Sequence, residues 1–259
     1  MNIVRPKKKL GQHFLRDQNI ARKIVDNLRG PIPDVLEVGP GMGVLTRFLL
    51  QRPELNVHVV EIDTESVEYL KTHFPELHNK IYSHDFLKWE ARQLPELFSI
   101  IGNFPYNISS QIFFRILAWR HRVPEVVCMV QKEVAERISA PPGSKTYGIL
   151  SVLLGAFYNI EYLFTVSEQV FVPPPKVKSA VIRLTRNPVE ELSCNEALFF
   201  QTVKAAFNKR RKMLRNSLGE KGLELPEPFA EKRPEQLSVA DFIELTKLIQ
   251  NLKKTENGI

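Results

Sequence analysis

From residue 35 onward, short runs of apolar and β-branched residues alternate with longer stretches whose apolar positions recur every three or four residues. The short runs predict strands at 35–38 ("VLEV"), 56–62 ("NVHVVEI"), 80–84 ("KIYSH"), 98–103 ("FSIIGN"), 125–131 ("EVVCMVQ") and 179–185 ("SAVIRLT"). A further strand is expected near 162–167 ("YLFTVS"). Helical patterns fill the gaps, as in "GVLTRFLLQR" and "TESVEYLKTHF". Strands alternating with helices predict βαβ units, hence an α/β fold on a mostly parallel, doubly wound, Rossmann-like sheet. After "RNPVEEL" at 186–192 the rhythm changes. From Asn195 the chain is strand-poor and helical, in "NEALFFQTVKAAFNKRRKMLRNSL" and "SVADFIELTKLIQNLKK", with 219–236 as connecting loops. The pattern thus divides the chain into a larger domain, 1–187, and a small all-helical domain, 188–259.

The 259 residues are 43% hydrophobic and 25% charged, as in soluble globular proteins. No apolar run is long enough to span a bilayer, and the basic N-terminus is not followed by the apolar core of a signal peptide. Cys128 and Cys194 are too few and too isolated for a disulfide framework or a zinc site. His58, His73, His78 and His121 show no metal-ligand spacing. A cytoplasmic, metal-free, membrane-free and monomeric protein is expected.

Charge changes the picture once the net +7 is divided along the chain. Residues 1–29 hold eight basic and two acidic residues, 30–187 hold sixteen of each, and 188–259 hold twelve and eleven. The last near-balance hides a cluster of Lys209, Arg210, Arg211, Lys212 and Arg215, expected on one helical stretch after "LFFQTVKAAF". Two concentrated basic regions predict a polyanionic partner. Arg5, Lys7, Lys8 and Lys9 are the candidate RNA contacts of the first region, and the five cluster residues those of the second.

Ligands of doubly wound sheets bind beyond the carboxyl ends of the strands, so chemistry is sought there. The first strand ends in "LEVGPGMGVLTRFL", where Gly39, Gly41 and Gly43 allow a tight turn and close backbone approach to a ligand. Glu61 follows Gly39 by 22 positions, where a carboxylate would accept both ribose hydroxyls of a nucleoside. Val44 breaks the dinucleotide G-x-G-x-x-G pattern, and Pro40 has no N–H for a pyrophosphate. No Gly-Lys-Ser/Thr follows, which excludes a P-loop. G-x-G-x-G preceded by the acidic Glu37 suits S-adenosyl-L-methionine, which has no phosphate to cradle. Asp85, ending the third strand, could accept from the adenine amine of that cofactor, with the Phe86 N–H beside it.

The fourth strand ends in Asn103-Phe104-Pro105-Tyr106. An adenine N6 amine is a poor nucleophile because its lone pair is delocalised into the ring. The Asn103 side-chain oxygen and the Phe104 carbonyl can hold its N–H groups so that the lone pair faces a cofactor methyl. Pro105 stiffens the backbone between them, and Tyr106 can stack on the base. This is catalysis by position and hydrogen bonding.

These segments, with "KKKLGQHFL" (7–15), "VFVPPPKVKSAVIRL" (170–184) and "AFNKRRKMLRNSL" (206–218), make the chain resemble the ribosomal RNA adenine dimethyltransferase family, specifically its bacterial small-subunit branch. The resemblance implies a class I methyltransferase fold acting on rRNA of the small ribosomal subunit or its precursor. It also implies that His13 and Leu15 cover the cofactor, and that Phe171 stacks on the target adenine opposite Tyr106. His13 and Phe104 depart from residues common in the family, which predicts altered affinity with unchanged chemistry. Two other functions share this pattern: a large-subunit rRNA methyltransferase conferring macrolide resistance, and a non-catalytic RNA-binding factor.

Overall fold

The computed structural model describes residues 4–209, 212–218 and 225–256. Its strands are β1 (Phe14–Leu15), β2 (Asp34–Val38), β3 (Asn56–Glu61), β4 (Ile81–Ser83), β5 (Ser99–Asn103), β6 (Glu125–Gln131), β7 (Tyr158–Val166), β8 (Phe171–Val172) and β9 (Ser179–Arg186). Its α-helices are α1 (Gln18–Val25), α2 (Thr46–Leu49), α3 (Thr64–His73), α4 (Ser109–Ala118), α5 (Lys132–Ile138), α6 (Ile149–Gly155), α7 (Glu196–Asn208), α8 (Leu214–Leu218) and α9 (Val239–Glu256). Among the described residues no helix is long and apolar enough to cross a membrane.

Seven strands form one sheet in the order β4-β3-β2-β5-β6-β9-β7, and β1 pairs with β8 in a separate ribbon. β4, β3, β2, β5 and β6 run parallel, while β9 lies antiparallel to β6. The order reverses between β2 and β5, which opens a crevice beyond their carboxyl ends. The runs of Val, Ile and Leu in β2, β3, β5 and β6 are buried on both faces, as central parallel strands require. Leu36, Val59, Ile100 and Val127 are all fully enclosed.

The chain forms two compact units, one of residues 1–135 with 160–186 and the other of residues 136–159 with 187–259. The second unit therefore takes in the segment around α6 as well as the helices expected after 188. Residues 150–154 of α6 are buried in succession, and α6 packs on α7 and α9. Tyr147 adds a ring contact to Phe207 at 6.2 Å. A short run that is apolar all round carries no helical periodicity, so its partners cannot be read from spacing.

The basic cluster differs from expectation. α7 ends at Asn208, and Lys209 leaves the helix at φ −116°, ψ 52°. A new helix starts at the buried Leu214, whose N–H donates to the Lys232 carbonyl, while that of Arg215 donates to Ala230. A helix start needs acceptors from outside itself, and the 230–232 loop supplies them. Lys209, Lys212 and Arg215 thus do not share one helix face; Arg210 and Arg211 lie outside the described residues.

Candidate active site

Beyond the carboxyl ends of β2, β3 and β5 lies a cavity of about 240 Å³. Its wall gathers His13, Gly39, Gly41, Glu61, Asp85, Phe86, Asn103, Phe104, Pro105 and Tyr106 from five separate stretches of chain. Gly39 has φ +69° and faces open space, so a side chain there would enter the cavity. Gly41 has φ +56°, and a Cβ on it would come within 2.7 Å of the Phe14 ring. Both positions require glycine for backbone conformation, and Gly41 also for space.

Glu61 ends β3 almost fully buried. One carboxylate oxygen accepts the Ile62 and Asp63 N–H groups at 2.9 Å, and the other accepts Gly41 N–H at 3.1 Å. Burial pushes its pKa up, and these three donors oppose that shift. The glycine turn and the carboxylate are therefore one hydrogen-bonded unit. Asp85 accepts the Leu87 N–H at 3.0 Å, capping the turn after β4 at the cavity wall.

Asn103 carries the most informative geometry. Its Nδ2 donates to the His13 carbonyl at 2.9 Å, which fixes the amide orientation. Among the described residues Oδ1 is then buried with no hydrogen-bond partner, on a residue that lines the cavity. An orphaned buried acceptor costs roughly 1–3 kcal/mol. It is retained where a ligand supplies the missing donor.

Tyr106 and His13 form a stacked pair, with ring centroids 5.3 Å apart and planes inclined by 28°. The Tyr106 hydroxyl bonds Ser179 Oγ at 2.5 Å, and burial raises its pKa against that bond. His13 Nδ1 lies 2.8 Å from the Pro173 carbonyl. A carbonyl only accepts, so Nδ1 carries the proton there.

Four expected site residues lie elsewhere. Glu37 is buried beside the crevice and absent from the cavity wall; it accepts Thr46 Oγ1 at 2.6 Å, and burial pushes its pKa up to about 8. Leu15 packs into the core, and its neighbour Phe14 reaches the cavity instead, because successive strand residues face opposite ways. Phe171 pairs with Leu15 across the β1–β8 ribbon and is likewise turned inward, 2% exposed, so this arrangement uses it for packing. Lys7 is held by Asp63 and, at 3.1 Å, by Glu65. Arg5, Lys8 and Lys9 remain exposed.

The Lys7 contact belongs to a latch that spacing alone could not reveal. Asp63 also accepts Gln12 Nε2 at 3.5 Å and Ser66 Oγ at 3.1 Å. Burial alone would raise the Asp63 pKa, but these donors, led by Lys7, hold it below the usual carboxylate range. The latch ties the N-terminal segment to the end of β3, and so holds the His13 carbonyl over Asn103. Among the described residues no group of three or more His, Cys, Asp or Glu is arranged to hold a metal ion.

Residues 3–251 match the protein family described as Ribosomal RNA adenine dimethylase. A Flavobacterium johnsoniae protein named Ribosomal RNA small subunit methyltransferase A is 59% identical, over 96% of this chain and 98% of its own. The crystal structure of a dimethyladenosine transferase from Plasmodium falciparum aligns with a TM-score of 0.77 at 25% identity, covering 95% of this chain and 99% of the other. That of the 23S rRNA methyltransferase ErmE aligns at 0.66 with 29% identity, covering 90% and 99%.

Proposed function

The chain belongs to the ribosomal RNA adenine dimethylase family, and on that premise we propose that it dimethylates N6 of two adjacent adenosines near the 3′ end of small-subunit rRNA. Its sheet is that of a Rossmann-like class I methyltransferase. S-adenosyl-L-methionine fits the residues present. The glycine turn offers close backbone approach at Gly39, Glu61 an acceptor for the ribose hydroxyls, and Asp85 an acceptor for the adenine amine. When bound, this cofactor supplies an electrophilic methyl group.

The chain's own part is positioning. The observation that carries the reading is that Oδ1 of Asn103, a residue lining the cavity, is buried with no partner among the described residues. Oδ1 accepts an N6–H of the target adenine, while the His13 carbonyl keeps the amide from rotating away. Oriented in this way, the amine lone pair points along the direction of transfer, and no side chain need ionise it first. The base must leave its stack to enter, and Tyr106 offers it the ring face opposite His13. Arg5, Lys8 and Lys9 form one set of phosphate contacts, and Lys209, Lys212 and Arg215, with Arg210 and Arg211, a second; such contacts position RNA without reading its sequence. The same reading places the enzyme in the cytoplasm, with ribosomal particles.

The test is transfer of labelled methyl groups to unmethylated small subunits, compared with large-subunit rRNA. Label in two adjacent small-subunit adenosines is expected. Label only in large-subunit rRNA would favour the second reading, which the likeness to ErmE motivates. No label in either would make the chain a non-catalytic RNA-binding factor.

A further inference from the structure

We propose that Ser179 is a positioning residue for methyl transfer, fixing the Tyr106 ring against which the target base packs. The inference deepens the reading above and rests on it for the identity of that base. Ser179 opens β9, fully buried, in register with Gln131 of β6. β6 in turn pairs with β5 next to Asn103, through Asn103 and Met129. The Ser179 hydroxyl and the Asn103 amide are therefore held by one continuous, hydrogen-bonded sheet.

Tyr106 is not part of that sheet. It sits in the turn between β5 and α4, where Ile108 N–H donates to the Pro105 carbonyl at 3.2 Å. A ring on a turn can tilt unless something holds its far end. Ser179 Oγ holds it, at 2.5 Å from the phenol oxygen, and His13 covers one face. The segment from Pro173 to Ser179 is thus tied to the cavity wall at both ends, by His13 at Pro173 and by Tyr106 at Ser179. With the phenol anchored to the strand that shares a sheet with Asn103, the stacking surface and the amine acceptor keep a constant separation. Small errors in such a separation are costly for transfer between two bound groups.

The test is a double-mutant cycle with Ser179→Ala and Tyr106→Phe, which keeps the ring and removes its hydroxyl. Each single change is expected to lower kcat by roughly three- to tenfold, the worth of one hydrogen bond, with cofactor affinity unchanged. The double variant should be no slower than either single, because both remove the same bond. Losses that multiply would mean Ser179 acts on packing alone, and would overturn the proposal. A second readout needs neither RNA nor turnover: the ¹³Cζ resonance of Tyr106, assigned by its disappearance in Tyr106→Phe. It should move in Ser179→Ala and return toward wild type in Ser179→Thr. A resonance unmoved by Ser179→Ala also overturns the proposal. A wild-type enzyme inactive on small subunits would refute the assigned substrate, and the resonance would still decide the role of Ser179.

Discussion

Replacing Asn103 with alanine should separate catalysis from stability. In the free protein the amide Nδ2 donates to the His13 carbonyl at 2.9 Å, while Oδ1 is buried with no partner among the described residues. The bond contributes about 0.5–1.5 kcal/mol, and the orphaned oxygen costs about 1–3 kcal/mol. Asn103→Ala removes both, so the terms oppose each other, and the net runs from about 0.5 kcal/mol of lost stability to about 2.5 kcal/mol of gain. At about 2–4 °C per kcal/mol for a domain of this size, Tm should fall by no more than about 2 °C. Catalysis has no such offset. A preorganised partner for the reacting group contributes about 2.7–4 kcal/mol to the barrier, so kcat should fall by roughly two to three orders of magnitude. Single-turnover methyl transfer at saturating cofactor measures the chemical step, and a thermal melt of the same sample measures the fold. A folded variant transferring methyl at near wild-type rate would refute the assignment. So would a large fall in Tm that accounts for the lost activity.

Glu61→Gln keeps one acceptor oxygen for the turn N–H groups but removes the charge, and calorimetry should show cofactor affinity lowered roughly ten- to hundredfold, about 1.5–3 kcal/mol, with RNA affinity retained. Unchanged cofactor affinity would move the ribose contact to another residue. Glu37 has a folded pKa of about 8 against an ordinary 4.5, so between those values the folded state holds a proton that the unfolded state has released. Stability must therefore fall as pH rises through that window, by at most on the order of 5 kcal/mol, and Glu37→Gln should flatten the slope. Denaturation curves at pH 5, 6.5 and 8 with the same pH dependence in both proteins would exclude this. Lys8→Gln with Lys9→Gln should reduce the slope of log RNA affinity against log salt by about 1.4–1.8, whereas Lys7→Gln should leave it nearly unchanged and instead speed hydrogen exchange in residues 5–15. Equal salt effects from both changes would mean that the Lys7 ion pairs open on RNA.

Local pattern carried the central sheet because burial on both faces leaves an unmistakable run of Val, Ile and Leu, as in 125–131, where strand and expectation coincide. The same logic located the cavity: Gly39, Glu61, Asp85 and Asn103 each end a strand or follow one, and parallel strands bring such ends to one edge. Pairing across the chain decided the rest. Leu15 and Phe171 are turned inward by a two-stranded ribbon that pairs them across 156 positions, and no spacing near either announces it. The break after Asn208 follows from carbonyls at 230 and 232 that capture the next helix start. Lys7 reads as a free charge in the sequence and becomes a latch only when β3 delivers Asp63 to it. Asn103 shows the division most clearly. Its residue type and strand-end position are local facts, but the direction of its amide is set by a carbonyl 90 residues away. Periodicity records which side of an element is buried, whereas the direction of a polar group depends on the partners that the tertiary fold brings to it.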